Sequence, residues 1–252
     1  MVEPPLCGCG AVYLNLGCFY DTVGLSARAE ALRAAQRKNQ SFYPAIYAHL
    51  RAAASLEQSA RDSMEPTDPE GLFRLLRGLY GDLAPSKTGR GQCREVFLSA
   101  YTPAGYVEFP VRCGCTAALA DPCGLSAPLL ARLRNHFLHA GFDCIAVLSP
   151  LSADRLTGLL VPELDTAFLA APEPEDCGVQ VNLRRYFKCG AHTEALLAQA
   201  RAHTAEAVRL LAEAKAAHDE LEALYRPFVS FEGLDLLTRE YQKNLRAELP
   251  RA

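Results

Sequence analysis

A duplicated motif constrains this chain more than any other feature. Val12-Tyr13-Leu14-Asn15-Leu16-Gly17-Cys18-Phe19-Tyr20 returns as Val179-Gln180-Val181-Asn182-Leu183-Arg184-Arg185-Tyr186-Phe187. Each copy is a short alternating apolar segment, an Asn-Leu pair and two aromatics, and each runs on into an Ala-rich, charged helical stretch. Those stretches lead to Glu70-Gly71-Leu72 and to Glu232-Gly233-Leu234. The copies lie too far apart for a solenoid repeat, so they imply a duplicated domain. A full α/β segment precedes the second copy but not the first. The body of a first unit is therefore expected to be missing.

The second helical stretch carries Leu196, Ala200, His203, Ala207, Leu210, Ala214, Ala217, Leu221, Leu224 and Phe228 at alternating steps of four and three. Such a stripe, with this much Ala, lets a partner helix approach closely. Thr193 suits an N-cap and Pro227 a terminus. The first stretch, from about Ser26 to Met64, contains Pro44, which should break or kink it. A helical hairpin or paired long helices is the simplest packing. His203 reads as a satisfied boundary histidine and the charges opposite as a solvated face.

Between the copies the pattern turns to α/β. Glu95–Tyr101 reads as a strand, Thr102–Gly105 as a turn and Tyr106–Phe109 as a returning strand. After a loop at Asp121–Ser126 a helix is expected over Ala127–His139, with Pro128 in its first turn and Gly141 as its C-cap. Phe142–Leu148 and Thr166–Ala170 read as further strands. Strand, Gly-containing loop, helix and strand form a βαβ unit, and hence a parallel sheet with a right-handed crossover.

The loop is where a phosphate site belongs. A P-loop has the form G-x-x-x-x-G-K-[ST]: its glycines let backbone N–H groups close on phosphate, and its Lys reaches the outer phosphates. The corresponding stretch is Ala120-Asp121-Pro122-Cys123-Gly124-Leu125-Ser126-Ala127. One register puts Ser126 at the Lys position, and a shift of one residue puts Leu125 there. No lysine occurs between Lys87 and Lys188, and Asp121 adds negative charge where phosphate oxygens would lie. The stretch reads equally as a broken phosphate loop or as an ordinary βα turn.

Composition sets outer limits. The 252 residues suit one large domain or two modest ones. With 50% hydrophobic and 22% charged residues the chain can bury a core. Its 26 basic and 29 acidic residues leave a net charge of -3, which argues against an electrostatic nucleic-acid or membrane binder. No apolar run is long enough to span a bilayer. The first residues lack the pattern of a signal peptide, so a cytoplasmic location is expected. The ten cysteines are then expected as thiols. Cys7-Gly8-Cys9 and Cys113-Gly114-Cys115, even with Cys123, Cys177 or Cys189, lack the two-to-four-residue gap of structural zinc sites, so no metal is assigned.

Several segments together resemble bacterial tandem P-loop ATPase-like proteins, in which two NTPase units each carry a helical extension. Val96–Gly105 resembles the family's lead-in to its second P-loop, and Leu129-Leu130-Ala131-Arg132-Leu133 the helix after that loop. His139–Cys144 resembles the turn into the next strand, and Leu159-Leu160-Val161-Pro162-Glu163-Leu164 an isoleucine-proline-glutamate-leucine segment. Ala214–Glu222 matches the family's long helix. The resemblance implies ATP with magnesium as cofactor. It also implies an acidic residue after the strand that follows Pro-Glu-Leu, where this chain has Ala170. With the lysine and that carboxylate gone, two parts of the hydrolytic apparatus are absent, and the chain resembles a C-terminal portion.

Other catalytic readings are weaker. Ser126 with His136 and His139 lacks the Gly-x-Ser-x-Gly elbow, and Cys123 or Cys144 as a nucleophile competes with simple packing. His218-Asp219-Glu220 occupies consecutive helical positions, which diverge. No catalytic residue is assigned. The expected architecture is an α/β fold, a P-loop NTPase-like parallel-sheet core with long helical, hairpin-like extensions. Residues 1–90 form a helical remnant of a first unit, 91–178 the degenerate core and 179–252 a second helical extension. The expected function is a pseudo-ATPase module, a weak or non-hydrolysing nucleotide binder or scaffold, with self-association or a protein partner through the Ala-rich helices. Two alternatives are a working ATPase whose intact P-loop lies in a missing N-terminal half or a partner subunit, and a cysteine-ligated metal protein.

Overall fold

The computed structural model describes residues 14–80, 89–121, 124–171 and 179–248. The elements in order are α1 (Thr22–Ala27), α2 (Ala29–Asp62), β1 (Glu65–Pro66), α3 (Pro69–Tyr80), β2 (Cys93–Phe97), β3 (Ser99–Thr102), β4 (Gly105–Glu108) and β5 (Cys115–Ala120). Then come α4 (Ser126–His139), β6 (Cys144–Ser149), β7 (Ser152–Val161), β8 (Thr166–Ala171), β9 (Val179–Asn182), β10 (Phe187–Lys188), α5 (Ala191–Tyr225) and α6 (Phe231–Glu248). The chain divides into two units. One combines the chain up to Ser41 with the part from Ala214 onward, and the second is Phe42–Glu213.

In the second unit, β2, β6, β7, β8, β5 and β9 form one six-stranded sheet in that spatial order. The class is mixed α/β. β6 pairs antiparallel with β7 and β7 antiparallel with β8, while β2–β6, β8–β5 and β5–β9 are parallel. The expectation of a parallel sheet is therefore corrected at β7, the single reversed strand. β5 and β6 do run in the same direction around α4, but they are not neighbours: β7 and β8 fold back into the gap between them. A short 3-10 turn, Pro162–Leu164, with Asp165 in the left-handed region, joins β7 to β8 tightly enough for this.

The apolar face of the sheet packs on α4. Leu129, Leu130, Leu133 and Phe137 recur at helical spacing and are buried against Leu119, Leu148, Leu159 and Phe168. At roughly 25 cal/mol per Å² such side chains each contribute about 1.5–3 kcal/mol when fully removed from water. α4 ends as expected, with Gly141 at φ 88° just beyond its last turn. The strand expected over Glu95–Tyr101 is in fact two, because the chain leaves the sheet at Leu98. Its second part, β3, forms a hairpin with β4.

The repeat has a structural counterpart in each unit. In the second unit, Asn182 caps the 3-10 turn Leu183–Tyr186 by accepting from the Arg184 N–H, β1 pairs with β10, and the Gly71 N–H donates to Asp68 Oδ1 at 2.7 Å to open α3. In the first unit, Asn15 caps the 3-10 turn Leu16–Phe19 by accepting from the Gly17 N–H, Tyr20 bridges Val229, and the Gly233 N–H donates to Ser230 Oγ at 3.2 Å to open α6. The duplication is thus a crossed one. The head of each copy docks on the tail of the other.

α2 continues through Pro44 as one helix, so of the break or kink expected there the break does not occur. Its buried Ile46, Ala53 and Ala60 recur every seven residues, and this packing outweighs the missing N–H at Pro44. α5 begins at Ala191, so Thr193 lies inside the helix instead of capping it, and its hydroxyl meets Ser63 Oγ at 2.9 Å. The expected stripe is inside: Ala200 and Ala207 are buried in the second unit, Ala214 and Ala217 in the first. His218-Asp219-Glu220 forms a charged face, with Asp219 on Lys215 and Glu220 on Lys38. Among the described residues no helix is long and apolar enough to cross a membrane.

Candidate functional site

β5 lies between β8 and β9 with all three strands parallel, so their C-terminal ends converge on the loop that follows Ala120. Ala120 pairs with Ala171 on one side and Asn182 on the other. In open α/β sheets this edge is where ligands bind. Ala170, where the resemblance implies an acidic group, pairs with Leu119 one residue short of the loop.

Of the eight candidate residues, Pro122 and Cys123 lie outside the described residues. Gly124 has φ +74°, a conformation that favours glycine. Leu125 precedes α4, Ser126 is its buried first residue, and Ala127 follows. The decisive group is Asp121. Its Oδ1 accepts from the Leu125 N–H and its Oδ2 from the Ser126 N–H, both at 2.6 Å. These are the backbone donors at the N-terminus of a 14-residue helix, where an anion is most stabilised. The carboxylate of the chain itself occupies both of these donors.

Two arginines from distant segments reach the same loop. A Cβ placed on Gly124 would lie 2.8 Å from Arg61 Nη1 and 3.1 Å from Arg155 Nη1. Arg61 comes from the last turn of α2 and Arg155 from β7. Arg155 Nη1 donates to Glu57, and its Nη2 donates to the buried Ser149 Oγ at 2.7 Å. Arg61 Nη1 lies 3.8 Å from the same Glu57 carboxylate, while its Nη2 donates to Gln58 Oε1 at 2.8 Å. Burial, and then the neighbouring Arg155, pull the Arg61 guanidinium below its ordinary value; Glu57 and Asp121 oppose them. Tyr101 beside this cluster has its phenol pushed up to about 12, first by burial and then by the Glu57 charge.

A cavity of about 850 Å³ opens beside the cluster, with Gln58, Arg61, Leu125, Pro128, Ser152 and Arg155 on its wall. Two guanidinium donors, Arg61 Nη1 and Arg155 Nε, have no hydrogen-bond acceptor among the described residues. Both atoms are buried, so neither faces that space.

The remaining candidates do not assemble. Ser126 opens α4 whereas His136 and His139 close it, about 15 Å and about 20 Å away at 1.5 Å per residue. Cys144 is buried, and its thiol is pushed up to about 12 by burial and then by Cys93 and Asp143. Cys113, Cys115 and Cys189 are free thiols, and no group of three or more metal-ligating side chains occurs among the described residues. Cys7, Cys9 and Cys177 lie outside those residues. Sequence reasoning missed Glu57, Arg61 and Arg155. Only the Glu57-to-Arg61 spacing of one helical turn was visible as a signal.

The fold and this loop together define a mixed α/β unit with a helix N-terminus occupied by its own carboxylate. No family model, curated protein or solved structure matches the chain.

Proposed function

We propose that the unit Phe42–Glu213 is a degenerate P-loop NTPase-like module, a pseudo-ATPase that serves as a scaffold without hydrolysing nucleotide. One observation carries this reading: Asp121 occupies the Leu125 and Ser126 amides that a phosphate would need. A second anion there would meet a carboxylate within a few ångströms, a repulsion of about 4 kcal/mol at 4 Å and an effective dielectric of 20. The arginines do not replace the absent lysine, because Glu57 already balances Arg155 and lies near Arg61. Ala170 beside Leu119 supplies no magnesium ligand or water-activating base.

The test is a thermal-shift titration of the whole chain with magnesium and ATP, ADP or GTP. A ligand at about a hundred times its Kd raises stability by about 2.7 kcal/mol. The reading expects no shift at millimolar nucleotide and no phosphate release. A magnesium-dependent shift of several degrees overturns it.

A further inference from the structure

We propose that His49 and His203 form a proton-operated latch between α2 and α5 within the unit Phe42–Glu213. Their Nδ1 atoms lie 2.9 Å apart, with ring centroids at 5.1 Å and the rings inclined at 47°. Both side chains are half-buried. A contact this short between two imidazole nitrogens needs one hydrogen: one Nδ1–H donates and the other Nδ1, bare, accepts. Either residue can be the donor.

The contact therefore counts protons. With both rings neutral it exists, and with one imidazolium it persists as a stronger, charge-assisted bond. With two imidazolium rings both nitrogens carry hydrogen, no acceptor remains, and two like charges face each other. The bond must then break and the rings must separate. The stability that the latch contributes is therefore present with no proton or one proton added to the pair, and is lost when acidification adds the second.

The surroundings leave this proton count to the two rings. One turn away on α2 lie Ala45, Ile46, Ala52 and Ala53, and one turn away on α5 lie Gln199, Ala200, Glu206 and Ala207. Glu206 is the single ionisable group in that set, and it is exposed at the surface, where it is ion-paired with Arg209. Arg209 first, and His49 after it, hold the Glu206 carboxyl below the usual range. From the β3–β4 hairpin, Tyr101 comes close to Thr204, the residue after His203; with its phenol pushed up to about 12, chiefly by burial, it stays neutral.

Amide hydrogen exchange of the whole chain at pH 7.5 and 5.5, corrected for the intrinsic pH dependence, tests the latch. In the wild-type protein, protection over residues 45–53 and 199–207 falls several-fold at pH 5.5 while that of residues 129–138 in α4 holds. In His203→Gln the amide oxygen accepts from His49 at both pH values, so the acid-induced loss disappears; His49→Gln does the same from the other side. Equal acid sensitivity in wild type and both variants overturns the latch. So does a wild-type protein whose exchange over these segments does not change with pH, a result that needs no variant to fold.

Discussion

Leu16 and Leu183 hold the same place in the two copies of one motif, each directly after a capping Asn, yet Leu16 is 50% exposed and Leu183 is 1% exposed. The preceding pair behaves alike: Leu14 is 40% exposed and Val181 7%. The local chain is the same in both, down to the side-chain cap on the turn. What differs is the sheet. Leu183 follows β9 and enters the cluster built by β5, α4 and β8, and the first unit contains no such sheet among its described residues.

Truncating the two leucines separates these environments. Leu183→Ala should cost about 2–5 kcal/mol, because it empties a fully buried site whose walls cannot collapse. Leu16→Ala should change stability by no more than about 0.5 kcal/mol. Urea unfolding followed by circular dichroism gives both numbers, and equal costs would contradict the packing described above.

Asp121→Ala removes the side-chain cap that the described residues supply at the N-terminus of α4, where Leu125 offers no acceptor. The loss should be about 0.5–2 kcal/mol, measured by thermal unfolding. Sulfate or phosphate at millimolar concentration should recover part of it, since the Leu125 and Ser126 amides become available to an anion. The wild-type protein should show no such recovery.

Glu57 and Glu206 both pair with arginine, but their positions differ. Glu57 sits between Arg61 and Arg155 with its side chain 22% exposed, whereas Glu206 pairs with Arg209 at the surface. Glu57→Gln should cost about 1.5–3 kcal/mol, the scale of a hydrogen bond to a charged group. Glu206→Gln should cost less than Glu57→Gln and lose its effect in high salt. Unfolding at low and high ionic strength distinguishes the two.

Cys144 should resist alkylation in the native protein at pH 8, because burial pushes its thiol up to about 12 and leaves almost no thiolate. The exposed Cys18, Cys93 and Cys115 should react first. Mass spectrometry of peptides after brief iodoacetamide treatment reads this directly. Modification of Cys144 at the same rate as Cys93 would contradict its burial.

Much of the local architecture is legible in the chain. Pro128 and Gly141 bracket α4, the apolar runs of β6 and β8 stand out, and the Thr102–Gly105 turn makes the β3–β4 hairpin. β7 escapes notice because Asp154 and Arg155 interrupt the apolar alternation at its start, where the strand carries a functional-looking ion pair in place of core residues. Pro44 and Thr193 mislead for a common reason. Local preference is worth about 3 kcal/mol at Pro and about 1 kcal/mol at a cap, and the burial of Ile46 and of Thr193, whose hydroxyl meets Ser63, outweighs both.

The loop before α4 was visible as letters: no lysine, an aspartate before the glycine, and an alanine at position 170. Its physical state was not. Asp121 acts over four and five residues, a range that sequence reasoning reaches, but Glu57 meets Arg155 across 98 residues and His49 meets His203 across 154. The sequence by itself determined what depends on contacts within a few positions: periodicity, turns and the repeated motif. The tertiary structure alone decided that β7 and β8 fill the gap between β5 and β6, that each repeat head docks on the other copy's tail, and which charges and imidazoles face one another. Those pairings are set by the packing of whole elements, and no local energy term along the chain encodes them.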